Sequence, residues 1–211
     1  MIRRVGLGFL CLGLACAGPS PVVVHNTHAK TEGLFRNVAV FPFAEGARLS
    51  LSLEPGGVSP GEAAALVSRF VVESLGDEGI RVISPADVEV AFESLGRQAP
   101  RADAVLAARV AARKFGASAV VMGEVQRYRE RVGKALGAQR PASVGFGFAL
   151  YSAPTGQRIW SARFDETQQT FSGAPLRAYR YPGAGTRWLS AAELARWGAA
   201  QALSAVPASV R

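Results

Sequence analysis

Ala111-Ala112-Arg113-Lys114-Phe115-Gly116-Ala117-Ser118-Ala119-Val120-Val121-Met122-Gly123-Glu124-Val125-Gln126-Arg127-Tyr128 is the stretch that decides the fold. Its first part closes an Ala-rich helical pattern. Lys114 supplies a cation to the last turn, and Gly116 can take the positive φ at which helices stop. β-Branched residues follow at once, so the spacing predicts a helix feeding directly into a strand. Ala119, Val121, Gly123 and Val125 face one way; Val120, Met122, Glu124 and Gln126 face the other. The first half of this strand is apolar on both faces and the second half is polar on one. That pattern predicts an interior strand covered by helices on at least one side and running outward to a wet end.

Working outward toward the amino terminus, the same strand-and-helix alternation recurs. Asn37 to Phe43 reads as a first strand, with Pro42 ending its hydrogen-bonding run. Ala44 to Pro60 is a loop or a short edge strand, with Leu49, Leu51 and Leu53 alternating. Ser59-Pro60-Gly61-Glu62 opens a helix with a serine cap, a proline in the first turn and an acid three residues after the cap. Leu66, Val67, Phe70, Val71 and Leu75 form its stripe. Ile80 to Ile83 is the second strand, and Ser84-Pro85-Ala86-Asp87 repeats the capping device. Val88, Ala91, Phe92 and Leu95 line the next helix, and Val105, Leu106, Ala108, Ala112 and Phe115 a third from about Arg101. Strand, helix, strand, two helices, strand predicts right-handed crossovers and a parallel core.

Toward the carboxyl terminus the period changes. Arg129 to Pro141 is polar and basic and reads as a hairpin. Val144, Phe146, Phe148 and Leu150 alternate with Gly145, Gly147 and Ala149, so one face of the next strand is large and the other small enough for a close neighbour. Pro154-Thr155-Gly156-Gln157 is a turn, after which Arg158 to Asp165 returns antiparallel. Ser190 and Glu193 cap a final helix carrying Leu194, Trp197, Gln201 and Val206. The expected architecture is α/β: a single mixed sheet of parallel βα-derived strands plus an antiparallel pair, flanked by helices.

The first residues speak of address. Arg3 and Arg4 precede an apolar run, Val5 to Leu14, too short to span a bilayer, and small residues follow. This predicts an export signal over residues 1–15, then an anchor and flexible tether over 16–36, then one domain over 37–211. Leu12-Gly13-Leu14-Ala15-Cys16 resembles a bacterial lipoprotein signal with Cys16 as the lipidated residue; Ala15-Cys16-Ala17 also fits a small-x-small site for ordinary secretion. The only other cysteine, Cys11, lies inside the apolar run, so the processed chain has no internal disulfide and no cysteine-ligated metal. The two histidines, His25 and His28, both lie in the expected tether, which removes His-dependent triads and three-histidine zinc sites from the folded body.

The formal charge is +8, mostly dispersed arginine. In an exported protein this reads either as a plain solvated surface or, pointing away from nucleic acid, as a match for lipid headgroups, an acidic protein surface or an anionic cell-wall polymer. Glu166 to Arg187 is poor in aliphatic residues but holds Phe171, Tyr179, Tyr181 and three arginines, residue types enriched at the energetic centres of interfaces. It reads either as a lid on the domain or as a partner surface. The candidate contact residues are Tyr179, Arg180, Tyr181 and Arg187, with Arg131 and Arg140 from the hairpin. Glu124, Asp165 and Glu166 are the carboxylates that a glycan-cleaving enzyme would need to oppose.

Val38-Ala39-Val40-Phe41-Pro42-Phe43, the helix leading to Gly79-Ile80-Arg81-Val82-Ile83-Ser84, and Phe115 to Val125, together with the lipoprotein-like start, resemble small bacterial envelope lipoproteins. These are related in fold to the curli-assembly lipoprotein, the lipoprotein activators of penicillin-binding proteins and the amino-terminal domain of the Tol translocation protein. The resemblance spans roughly residues 37–164. It implies an α/β domain on the periplasmic side of the outer membrane, with no cofactor, acting by binding or scaffolding rather than catalysis. Ala17 after Cys16, instead of an aspartate, implies outer-membrane sorting. Residues 129–141 are too short and polar for the membrane-inserting strand pair of curli-type pores.

Overall fold

A computed structural model describes residues 20–26, 36–53, 57–169 and 175–207. In chain order the elements are β1 (Val22–Asn26), β2 (Asn37–Val40), β3 (Ala44–Glu45), α1 (Pro60–Asp77), β4 (Arg81–Ile83), α2 (Pro85–Glu93), α3 (Ala104–Phe115), β5 (Ala119–Arg129), β6 (Val132–Lys134), β7 (Gly137–Arg140), β8 (Ser143–Ser152), β9 (Arg158–Thr167), α4 (Pro175–Ala178) and α5 (Ala191–Ser204). The main sheet runs β1-β9-β8-β5-β2-β4, with β3 paired to the far part of β5; β6 and β7 form a separate ribbon. β2 is parallel to β4 and β5, while β5, β8, β9 and β1 are successively antiparallel. This is the mixed sheet that the alternation of periods predicts.

Local chemistry sets the element ends. Ser59, Ser84 and Ser190 each accept from the third-residue backbone N–H, and Glu62, Asp87 and Glu193 return the bond to the cap, so all three expected capping boxes form. Gly116 closes α3 in the left-handed region at φ 59°, which Cβ-bearing residues disfavour. Asn37 then ties the α3–β5 junction to β2: its side-chain amide donates to the Phe115 carbonyl at 3.0 Å.

The sheet has two unequal faces. On one, α1 and α5 cover Val121 and Val125 of β5, Phe146 and Phe148 of β8, and Trp160 and Phe164 of β9 in one continuous core. On the other, α2 and α3 cover only the β2 and β5 beginnings, packing Phe92, Ala107, Ala108 and Ala111 against Phe41, Val120 and Met122. Beyond Met122 this second face is open: Glu124, Arg163, Asp165, Val23 and His25 are exposed along it.

Three expectations are corrected. Val22–Asn26, inside the expected tether, is the edge strand β1, paired to Phe164–Trp160 of β9; its short Val-rich run finds a free sheet edge that the local sequence does not reveal. His25 therefore sits on a strand opposite Ser161, while His28 lies outside the described residues, as does Cys16. Val105 and Leu95, expected in helix stripes, are 55% and 45% exposed; α3 packs instead through its alanines, whose small side chains let the helix lie close to the sheet. Leu49 to Leu53 is neither strand nor irregular loop but contains a 3₁₀ turn, Ser50–Ser52, with Leu49 buried and Leu51 87% exposed.

The decisive strand carries a feature invisible in its alternation. β5 has a bulge at Gln126: Val125 opposes Phe146, but Arg127, not Gln126, opposes Gly145. One extra residue inverts every side chain after it. Tyr128, which strict alternation would send to the open face, turns into the α1–α5 core at 4% exposure, and Arg127 and Arg129 turn onto the open face.

Candidate functional site: a hairpin–lid surface and an arginine-lined sheet face

The basic stretch after β5 does form a hairpin, β6–β7. Its tip and the 175–190 segment, distant in sequence, are joined. The Trp188 N–H donates to the Ala135 carbonyl at 2.8 Å, and the Arg131 guanidinium donates to the Trp188 carbonyl at 2.7 Å. Glu130 accepts from the Ala191 N–H at 3.1 Å, fastening the hairpin base to the amino terminus of α5, where a carboxylate is also favoured by the helix dipole.

The 175–190 segment is held down by a buried acid. Glu166, 6% exposed on β9, receives the Tyr181 hydroxyl at 3.0 Å and pairs with the Arg180 guanidinium. Tyr181 is 2% exposed, stacks edge-on against Trp197 and accepts the Gln169 N–H. Burial, opposed by the Gln169 hydrogen bond, pushes its phenol above the usual tyrosine range. Gln168, also buried, accepts from the Leu189 N–H and donates to the Arg187 carbonyl. Arg187 makes a two-pronged pair with Glu193, whose carboxyl it holds down to about 2.

Of the six residues expected at a contact surface, the structure thus spends Tyr181 and Arg180 on anchoring the segment and keeps Tyr179 62% exposed. Arg131 and Arg187 are bonded within the same hairpin–lid unit, and Arg140 is half-buried on β7. Sequence reasoning missed Leu136, at the hairpin tip and 89% exposed, and Val132, 37% exposed; an apolar side chain in a glycine-bounded basic turn was the available signal.

The open sheet face is the second feature. Two adjoining hollows, about 390 Å³ and 690 Å³, share Gln126 and Arg163 as walls. Gly147 and Ala149, on the small face of β8, floor the smaller hollow, and the Arg127 side chain lies over Gly145, 3.6 Å from where a Cβ would stand, at ordinary contact distance. Arg127 donates to Ser143 Oγ at 2.7 Å and pairs with Asp165, which Arg163 also approaches at 3.4 Å. Of the three carboxylates weighed for glycan cleavage, Glu124 shares the open face with Asp165 and accepts from the Gln126 amide. Asp165 is ion-paired on the open face, and Glu166, its neighbour on β9, points to the opposite side under the lid. Among the described residues no cluster of His, Cys, Asp and Glu could hold a metal ion, and no helix is long and apolar enough to cross a membrane.

No protein-family model matches the chain, and no curated protein matches it in sequence. Solved structures do. A point variant of the PelC dodecamer from Paraburkholderia phytofirmans superimposes with TM-score 0.50 at 19% identity, covering 90% of this chain and 98% of that one. In fold, the chain is similar to PelC. Lipoprotein GNA1162 from Neisseria meningitidis gives TM-score 0.42 at 20% identity over 63% of this chain and 84% of its own. The LpoB C-terminal domain from Escherichia coli gives 0.40 at 17% identity over 64% and 84%. The PelC superposition shows a shared fold, in keeping with the resemblance drawn from the sequence, and extends it past residue 164 to most of the chain.

Proposed function

We propose that this protein is a non-enzymatic envelope lipoprotein, anchored through Cys16 on the periplasmic face of the outer membrane, that binds or scaffolds another envelope component through the hairpin–lid surface. The observation that carries the reading is the locking of two distant segments into one unit through Trp188, Ala135 and Arg131. These bonds hold the ribbon tip and the segment in one geometry, and rigid display lowers the ordering cost of association. Leu136 and Tyr179 supply exposed apolar area; Arg131 and Arg140 supply positive charge on the hairpin; Arg187, paired with Glu193, and Arg180 and Tyr181, on Glu166, act by holding the segment. The lipoprotein-like start supports the address.

The test is affinity purification of the anchored protein from membranes, comparing the parent with Leu136→Ala and Tyr179→Ala. The expected result is weaker recovery of one envelope component with melting temperature unchanged. Undiminished recovery of every co-purifying component by both variants overturns the surface. For the anchor, Cys16→Ser is expected to leave the membrane fraction, and an unmodified processed terminus by intact mass overturns it.

A glycan-cleaving reading is not favoured, because proton transfer to a glycosidic oxygen needs a protonated carboxyl opposite a second one. Asp165 and Glu166 are each committed to arginine and lie on opposite faces.

A further inference from the structure

The larger hollow on the open sheet face is unusual in charge. Arg48, Arg127, Arg129 and Arg163 line it, with Asp165 as the single acid. Asp165 already serves Arg127 and Arg163. Among the described residues neither Arg48 nor Arg129 has a carboxylate partner, and the Arg129 Nε is buried without any hydrogen-bond acceptor. A buried unsatisfied guanidinium nitrogen costs free energy in the folded state, and here the Gln126 bulge is what turns Arg127 and Arg129 to this side. The fold thus places positive charge in a concave site and leaves part of it unanswered.

We propose that this groove binds a linear acidic polysaccharide, with Arg48 and Arg129 as the primary contacts for its anionic groups and Arg127 and Arg163 held ready by Asp165. Guanidinium forks match carboxylate and phosphate oxygens two at a time. The occupant is long rather than compact, because the groove continues into the second hollow past Gly147 and Ala149, toward the half-buried ring of Tyr151 and the hydroxyl of Ser161; the one acid on this path, Glu124, accepts from the Gln126 amide. It is a glycan rather than an acidic peptide for two reasons. The floor is the face of a sheet whose strands are already paired, so it offers no edge for strand addition. The walls carry mostly polar and small residues, with the Phe148 and Tyr151 rings set among them, instead of the deep apolar pocket that anchors a peptide side chain. This inference goes beyond the proposed function: it concerns a different face and requires neither Cys16 nor the hairpin.

The test uses the purified full chain in detergent, titrated with oligogalacturonate as a carboxylate glycan and with a phosphodiester-linked hexose polymer as a phosphate one; whichever binds more tightly identifies the anion. Neutral dextran and poly-glutamate serve as comparators. The expected result is binding of one acidic polymer, weakening as salt rises, no binding of dextran, and at least tenfold weaker binding of poly-glutamate. The Arg48→Gln/Arg129→Gln double variant is expected to lose about tenfold or more in affinity with an unchanged circular dichroism spectrum. Arg97→Gln, which removes an exposed charge after α2, is expected to bind as the parent does. No binding of either acidic polymer, equal binding of poly-glutamate, or an equal loss in Arg97→Gln overturns the proposal, the last by showing attraction to net charge rather than to the groove. None of these outcomes bears on partner recovery through Leu136 and Tyr179, so the two readings fail separately.

Discussion

The Tyr181 hydroxyl donates to Glu166 Oε1 at 3.0 Å, across a buried gap that the Arg180 guanidinium closes from the other side. This makes the 175–190 segment part of the folded body at Tyr181 and a display surface at Tyr179, two residues apart. Tyr181→Phe removes one donor from a buried carboxylate, so we expect it to destabilise the chain by about 1–2 kcal/mol. Tyr179→Ala, at an exposed site, is expected to change stability by less than about 0.5 kcal/mol. Urea denaturation of the two variants distinguishes them; equal, negligible effects would mean that Glu166 does not hold the segment.

Acid should loosen the start of α5. Arg187 lowers the Glu193 carboxyl from its usual 4.5 to about 2, helped by the Ser190 N–H and opposed by partial burial. A carboxyl depressed in the folded state contributes stability above its unfolded value and loses it as pH falls through the folded one. The window is therefore from about 4.5 down to about 2. Both side chains are partly exposed, so the effect is a modest part of the acid transition. Melting temperature against pH is expected to fall less steeply through this window in Arg187→Gln than in the parent; parallel curves would remove the pair from the account.

Two helical glycines should respond to alanine with opposite signs. On α5 a Cβ at Gly198 would lie 2.7 Å from the Phe164 ring, itself fully buried, so overpacking of about 1–3 kcal/mol outweighs the helix-propensity gain of about 1 kcal/mol. On α1 a Cβ at Gly76 meets nothing within 4 Å, and Gly76→Ala is expected to stabilise by about 0.5–1 kcal/mol. Thermal unfolding reads both, and a stable Gly198→Ala would show that the helix can retreat from the sheet without loss.

Much of this architecture is written in short-range signals. The three capping boxes, the Gly116 stop and the two-sided apolar run through Val121 are local, and each leads to the element found. What the sequence conceals is non-local. Val22–Asn26 becomes a strand because β9 has a free edge, and the alanine face of α3 is buried because the sheet lies near enough to accept it. The candidate surfaces divide in the same way. Tyr179 and Tyr181 look alike in sequence, and only the distant acid Glu166 separates them. The arginine groove was hidden because its residues come from β5, β9 and the Arg48 loop, and because the period of β5 gives no sign that it changes phase at Gln126.

That change of phase yields the last prediction. Deleting Gln126 removes only the extra residue, so Arg127 would still oppose Gly145 and Tyr128 still oppose Val144; inserting an alanine after Gln126 instead shifts the phase again, and with a one-residue bulge kept, Arg127 and Arg129 would point into the α1–α5 core while Tyr128 would point out. Two guanidiniums would then be buried among Phe146 and Val144 without partners, and the contact of the Tyr128 N–H with Ser52 Oγ, 2.9 Å long, would be lost. The insertion is expected to cost more than about 4 kcal/mol, or to force β5 out of register with β8. Gln126→Ala keeps the extra residue and is expected to stay within about 1 kcal/mol of the parent. A second readout comes from Tyr128, whose phenol burial pushes up to about 12, with the Glu130 charge adding to the shift. In the insertion variant it should ionise near the ordinary value of about 10, visible by spectrophotometric titration. An insertion variant that is stable and still titrates its tyrosine late would show that the strand absorbs the added residue in a wider bulge, and that the length of the bulge does not fix the face to which β5 turns its arginines.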